Sequence, residues 1–121
     1  MQSSIQTMLN LELPIIQAPM AGVQGSALAI AVSNAGGLGS LPCAMLGLDA
    51  MRHELNAIAA GTDNHYNVNF FCHTPPVADA TREAGWRAEL APYYTEYGID
   101  ADSILTGARR DPFSAAAFEV L

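Results

Sequence analysis

Three short apolar runs, each closed by proline or glycine and separated by helix-length stretches, constrain this chain more than any other feature. The first is Leu13-Pro14-Ile15-Ile16-Gln17-Ala18, ended by Pro19. The second is Leu38-Gly39-Ser40-Leu41, ended by Pro42, and the third is Tyr66-Asn67-Val68-Asn69-Phe70-Phe71, ahead of Pro75-Pro76. Short runs with β-branched or aromatic residues and such punctuation are expected to be buried strands. Between them lie two helical stretches. Ala27 to Asn34 is preceded by Ser26, a candidate N-cap, and followed by Gly36-Gly37, a helix stop. Leu48 to Ala60 repeats Leu48, Met51, Leu55 and Ile58 at three- and four-residue steps, the stripe of an amphipathic helix, and Gly61 closes it. Beyond the third run, a helix is predicted over 77–90, broken at Pro92. A second helical piece is expected over 93–97, a polar loop over 98–112 and a last helix over 113–121.

The order β-α-β-α-β-α predicts a parallel sheet covered by helices. Three such units leave two open sheet edges. A (β/α)8 barrel needs about 250 residues, and a doubly wound sheet about five or six strands. The 121 residues are therefore expected to be an incomplete portion of one α/β domain, with about three βα units. No internal repeat accompanies the βα rhythm.

Composition narrows the function classes. Half of the residues are apolar and only 14% are charged, the opposite of a disordered composition. Net charge is −7, the five basic residues are all Arg, and only Arg109-Arg110 are adjacent. Nucleic acid is not an expected partner, since a phosphate backbone attracts clustered cations. The absence of Lys excludes a Walker-type P-loop and a Schiff-base lysine from this segment. Cys43 and Cys72 form no CxxC, so they are expected to be two buried thiols in a reducing compartment. The N-terminus, Met1-Gln2-Ser3-Ser4-Ile5, has no signal-peptide pattern. The longest apolar run, Ala27 to Val32, is far too short for a membrane span. A cytoplasmic protein with no membrane partner is the expectation.

The third run carries the clearest chemical oddity. Side chains alternate along a strand, so Val68 and Phe70 share one face while Asn67, Asn69 and Phe71 share the other. A sheet covered on both faces should be apolar on both. Two buried amides need partners, since an unpaired one costs about 1–3 kcal/mol. Either neighbouring loop backbone satisfies them or a ligand does. Asn69 lies toward the C-terminal end of its strand, where parallel α/β folds bind ligands. The loop Pro19-Met20-Ala21-Gly22 lies at the same end. It is either an ordinary βα turn or a stretch whose small side chains let a flat ligand reach the main chain. Gly36-Gly37-Leu38-Gly39 follows a helix and opens a strand, the reverse of a dinucleotide fingerprint, so a helix stop and tight turn explain it. Cys72 and His73 are neighbours pointing to opposite faces, and His53, His65 and His73 show no metal-ligand spacing, so no metal site is expected.

Three segments in register resemble the nitronate monooxygenases, formerly called 2-nitropropane dioxygenases. They are Pro14-Ile15-Ile16-Gln17-Ala18-Pro19-Met20-Ala21-Gly22, Leu28-Ala29-Ile30-Ala31-Val32-Ser33-Asn34-Ala35-Gly36-Gly37-Leu38-Gly39-Ser40 and Asn67-Val68-Asn69-Phe70-Phe71-Cys72-His73. The first two segments are shared with flavin-containing enoyl-acyl-carrier-protein reductases and, more distantly, with inosine monophosphate dehydrogenases. The third is similar to the nitronate enzymes. The resemblance implies the N-terminal βα units of a TIM-type barrel that carries FMN at the C-terminal ends of its strands. It implies oxidation of alkyl nitronates, such as propionate 3-nitronate, by molecular oxygen. It places Ala18, Pro19, Met20, Ala21 and Gly22 against the flavin and makes Asn69 a side-chain contact to FMN. The family's catalytic His lies in a Gly-rich motif further along than Leu121, as do its phosphate-binding glycines, so no catalytic residue is assigned within this chain. The segment alone is expected to be inactive. The competing expectations are an NAD(P)H-dependent flavin reductase of the same fold and a non-catalytic α/β module that pairs its open sheet edges.

Overall fold

A computed structural model describes residues 4–105 and 110–121. The first three residues, residues 106–109 of the expected polar loop, and with them Arg109 of the arginine pair, lie outside the described residues. The chain divides into two units: Met1–His73 with Arg110–Leu121, and Thr74–Arg109.

The first unit holds a parallel sheet and the helices on it. Helix α1, Ile5–Leu9, starts where the Ser4 side chain accepts the Thr7 N–H, and it stops at Asn10 in the left-handed region. Helix α2 spans Ser26–Asn34, strand β1 Gly39–Pro42, helix α3 Leu48–Gly61 and strand β2 Tyr66–Asn69. A 3₁₀ turn, Cys43–Met45, links β1 to α3. β1 and β2 pair in parallel, from Gly39 opposite Tyr66 to Pro42 opposite Asn69. On the far side of β1, Ile16 makes a single parallel bridge to Leu38. A short helix, α5, covers Ala115–Phe118, capped by the Ser114 side chain.

β1 is buried along its whole length because it has a neighbour on each edge and α2 on its face. Gly39 makes that approach possible, since a Cβ there would collide with the Ala29 carbonyl of α2. Ser33 joins the layers as well. Its hydroxyl accepts the Gly39 N–H at 3.2 Å and donates to the His65 carbonyl at 3.0 Å. The core comprises Ala29, Leu41, Cys43, Met51, Ile58 and Ala117, with Leu55, Val68 and Phe70 packed against it. Burial of each large aliphatic side chain there contributes about 1.5–3 kcal/mol. The expected α3 stripe holds at Met51, Leu55 and Ile58, while Leu48 stays exposed. Val68 and Phe70 face the core, as strand alternation predicts.

Several local expectations give way to tertiary structure. The first run is one bridge rather than a buried strand, and Leu13, Ile15 and Ile16 are exposed, because no described element covers them. The third run is a strand only from Tyr66 to Asn69. Ser26 does not cap α2. The cap residue is Gly25, and the Ser26 N–H donates to Glu54 Oε2 of α3 at 2.6 Å. A carboxylate from a neighbouring helix thus does the work expected of a local hydroxyl. The last helix is four residues long instead of nine.

In the second unit, helix α4 runs unbroken over Ala80–Glu96 and contains Pro92. Asp79 starts it, accepting the Thr81 and Arg82 N–H groups at 3.0 Å each. Proline removes one intrahelical donor, the one that would reach the Ala88 carbonyl. Ala88 is exposed, so water can take that carbonyl. Beyond Pro92, the Ile99 N–H donates to the Tyr94 carbonyl at 2.8 Å across Gly98, whose φ is +63°, and this closes the helix end. Arg87 bonds Glu83 at 3.2 Å and the Ala101 and Ile104 carbonyls at 3.0 Å, which fastens the 3₁₀ turn Ala101–Ser103 to α4.

Candidate functional site

Parallel pairing brings the exits of Ile16, β1 and β2 to one end of the sheet. Neighbouring strands lie about 4.8 Å apart, so the first and third exits stand roughly 10 Å apart, with β1 between them. The loop of residues 18–22 leaves one flank of this end, and Asn69 closes the other.

Ser40, in the middle of β1, organises the arrangement. After the Ile16–Leu38 bridge, the next rung of the ladder would need an N–H at Pro19 aimed at the Ser40 carbonyl. Proline has none. The Gln17 side chain fills the rung instead: its Nε2 donates to the Ser40 carbonyl and its Oε1 accepts the Ser40 N–H, both at 3.2 Å. Gln24 adds a second tie. Its Nε2 donates to the Ala18 carbonyl at 3.2 Å and to the Ser40 carbonyl at 3.3 Å. The Gln24 Oε1 is buried and has no partner among the described residues. From the other strand, Asn67 Nδ2 donates to Ser40 Oγ at 3.2 Å.

Between the two glutamines the chain turns. The Met20 carbonyl accepts the Val23 and Gln24 N–H groups at 3.2 and 3.3 Å, and Gly22 sits at φ +78°, a conformation that favours glycine. Ala18, Met20 and Gly22 are exposed, while Pro19 and Ala21 are half-buried. The segment therefore presents main chain, Ala18 and the Met20 side chain outward, anchored at both ends.

The two asparagines of β2 differ. Asn67 is satisfied by Ser40, whereas the half-buried Asn69 amide has no hydrogen-bond partner among the described residues. The Asn69 N–H lies toward the Cys43 thiol and favours its ionised form. Burial pushes the Cys43 thiol up to about 11, against the pull of that N–H, so Cys43 is an unreactive thiol. Cys72, expected to be buried, is exposed, because β2 ends at Asn69 and the chain leaves the sheet before it.

Past β2, the Phe113 N–H donates to the Phe71 carbonyl at 2.7 Å, and the Phe70 and Phe113 rings meet with centroids 4.7 Å apart. Arg110 lies over the Phe71 ring at 5.9 Å, and the His73 ring stands 5.8 Å from the same ring. His53, His65 and His73 are exposed. Gly36, at φ +91°, and Gly37 end α2, in keeping with a helix stop. Sequence reasoning did not single out Gln17, Gln24 or Ser40. The signal available for Gln17 was its position two residues ahead of a strand-ending proline. Nothing local marked Gln24 or Ser40.

The βα order and the sheet end just described are those of the opening units of a TIM-type barrel. A nitroalkane oxidase structure from Streptomyces ansochromogenes superposes with a TM-score of 0.66 and 30% identity, covering 98% of this chain and 31% of that one. FabK from Thermotoga maritima superposes with a TM-score of 0.56 and 26% identity, over 82% of this chain and 29% of that one. The profile of the nitronate monooxygenase family matches residues 2–112, and the chain belongs to that family of oxidoreductases. The nitronate monooxygenase of Paraburkholderia phytofirmans is 44% identical over 115 residues, which is 92% of this chain and 31% of that protein. The nitronate monooxygenase of Pseudomonas aeruginosa is 45% identical over 93 residues, 77% of this chain and 26% of that protein. The chain thus spans about a third of the length of these relatives. Among the described residues, no helix is long and apolar enough to cross a membrane.

Proposed function

We propose that this chain supplies one wall of an FMN site in an enzyme that oxidises alkyl nitronates, such as propionate 3-nitronate, with molecular oxygen. The observation that carries the reading is the Asn69 amide. It is half-buried, without a hydrogen-bond partner among the described residues, and it stands at the strand end where ligands bind in this architecture. The residues fit a flavin. Ala18, Pro19, Met20, Ala21 and Gly22 form a low, main-chain-rich ledge beside a flat ring, and Asn69 offers both a donor and an acceptor to a ring edge. When bound, FMN supplies the electron transfer from nitronate to oxygen, while the protein binds and orients both. Membership in the nitronate monooxygenase family supports the substrate class.

No Gly-rich His motif stands within the 121 residues, so the chain by itself is expected to bind FMN weakly and to turn over no nitronate. The test uses the product of the whole reading frame containing this sequence, purified and assayed for FMN and for oxygen uptake with propionate 3-nitronate. A flavin spectrum and nitronate-dependent uptake are expected, with Asn69→Leu weakening FMN binding. A protein that binds no FMN would overturn the reading. So would one that reduces an enoyl substrate with NAD(P)H and leaves nitronates untouched.

A further inference from the structure

We infer that Gln17 and Gln24 are positioning residues: the Gln17 amide replaces the rung lost at Pro19, and with Gln24 it holds the loop of residues 18–22 at the height above the sheet at which it can meet a flavin. The inference rests on the FMN reading above and adds to it two residues outside the proposed contact set.

The geometry follows from one covalent fact. Pro19 cannot donate to the Ser40 carbonyl, so the main-chain ladder must stop at that rung. An unpaired buried N–H and C=O on β1 would be unfavourable. Gln17 satisfies both with its own amide, a side-chain copy of the missing main-chain rung. The main chain is then free to leave the sheet at Ala18 instead of continuing alongside β1. Gln24 fixes how far it leaves. One Nε2 group bridges the Ala18 carbonyl, where the loop begins, and the Ser40 carbonyl, on the sheet. The Gln24 N–H also closes the turn on the Met20 carbonyl. Gln24 thus ties the start of the loop, its turn and β1 to one another.

The orphaned Gln24 Oε1 distinguishes this from ordinary packing. The amide spends its donors on two carbonyls and leaves a buried acceptor without a partner among the described residues. Gln24→Leu removes that acceptor, leaves the Ser40 carbonyl to Gln17 and frees the Ala18 carbonyl on an exposed residue where water can replace the donor, so it should cost little stability while releasing the loop.

The test uses the product of the whole reading frame, wild type against Gln24→Leu and Gln17→Leu. FMN affinity is followed by flavin fluorescence, the flavin environment by visible circular dichroism, and the fold by the melting temperature of the FMN-free protein. Gln24→Leu is expected to keep the wild-type melting temperature, to bind FMN roughly tenfold to a hundredfold more weakly and to alter the visible dichroism, as misplaced contacts do; Gln17→Leu, which also unpairs the buried Ser40 N–H, is expected to show the same flavin changes together with a lower melting temperature. Gln24→Glu, which cannot donate to either carbonyl, is expected to show the same loss and remains informative if the leucine variant does not fold. A melting temperature that falls while FMN affinity and dichroism stay at wild-type values would reduce both glutamines to structural residues and overturn the inference. Wild-type protein that binds no FMN would defeat the flavin reading itself, whereas wild-type binding with unaffected variants defeats the positioning role alone.

Discussion

Helix α3 has fourteen residues and buries Met51 and Ile58, whereas α4 has seventeen and buries none. α3 sets its apolar stripe on a sheet and against α2. α4 leaves Trp86 at 65% and Tyr93 at 56% exposure, and it is held by an aspartate cap, an Arg87–Glu83 pair and the arginine's bonds to a following turn. One helix is fixed by burial that its own sequence cannot supply. The other is fixed by contacts within some twenty-five residues of sequence. A helix of this length without tertiary burial is marginal in water, so local capping matters most where the core is absent.

The difference can be broken first at Ile58. Ile58→Ala should cost about 2–5 kcal/mol, the range for emptying a packed aliphatic site, seen as a lower urea midpoint by far-ultraviolet circular dichroism. An unchanged midpoint would mean that α3 is no better anchored than α4. The next effect is Glu54, whose carboxylate from α3 caps α2. Glu54→Ala should remove about 0.5–2 kcal/mol, the usual value of a helix cap. The Ser26 hydroxyl and then its N–H hold the Glu54 carboxyl below its ordinary range. The stabilisation is therefore fully present above the unfolded glutamate value of about 4.3, and it is lost as pH falls through the lowered folded value. Melting temperatures recorded downward from pH 5 should fall more steeply for wild type than for Glu54→Gln. Parallel curves would show that the cap does not titrate.

Asp79→Ala should weaken α4 by about 1 kcal/mol. Trp86 is the only tryptophan, so its fluorescence reports on α4 and should shift to lower urea while the bulk of the dichroism does not. Coincident shifts would join what the comparison separates. The smallest effect belongs to Trp86→Ala, expected within about 0.5 kcal/mol because the side chain is mostly exposed. A loss of several kcal/mol would show that α4 packs its aromatic face after all.

Much of the fold was legible along the chain. The 3.6-residue stripe at Met51, Leu55 and Ile58, the glycine stop after α2 and the two-residue alternation at Val68 and Phe70 are patterns written in neighbouring residues, and each appears where expected. Less of the candidate site was. Asn69 stood out because a polar residue on a covered strand is anomalous by itself. Gln17, Gln24 and Ser40 are ordinary residues until β1 brings them together across 16 and 23 positions. Ser26 was the natural local cap, yet Glu54 reached the helix end from 28 residues away. Pro92 was a natural break, but an exposed helix loses only one bond to it.

By itself, the amino-acid sequence determined the alternation of α2, β1, α3 and β2, the inward faces of α3 and β2, and the proline that denies Ser40 its main-chain rung. These depend on backbone restriction and periodicity, which act over a few residues. Only the tertiary structure decided what replaces the missing rung at Ser40, which carboxylate caps α2, and which of two asparagines on one strand face finds its partner in Ser40. Hydrogen bonds between distant residues settle those matters, and their partners are chosen by where the sheet places them.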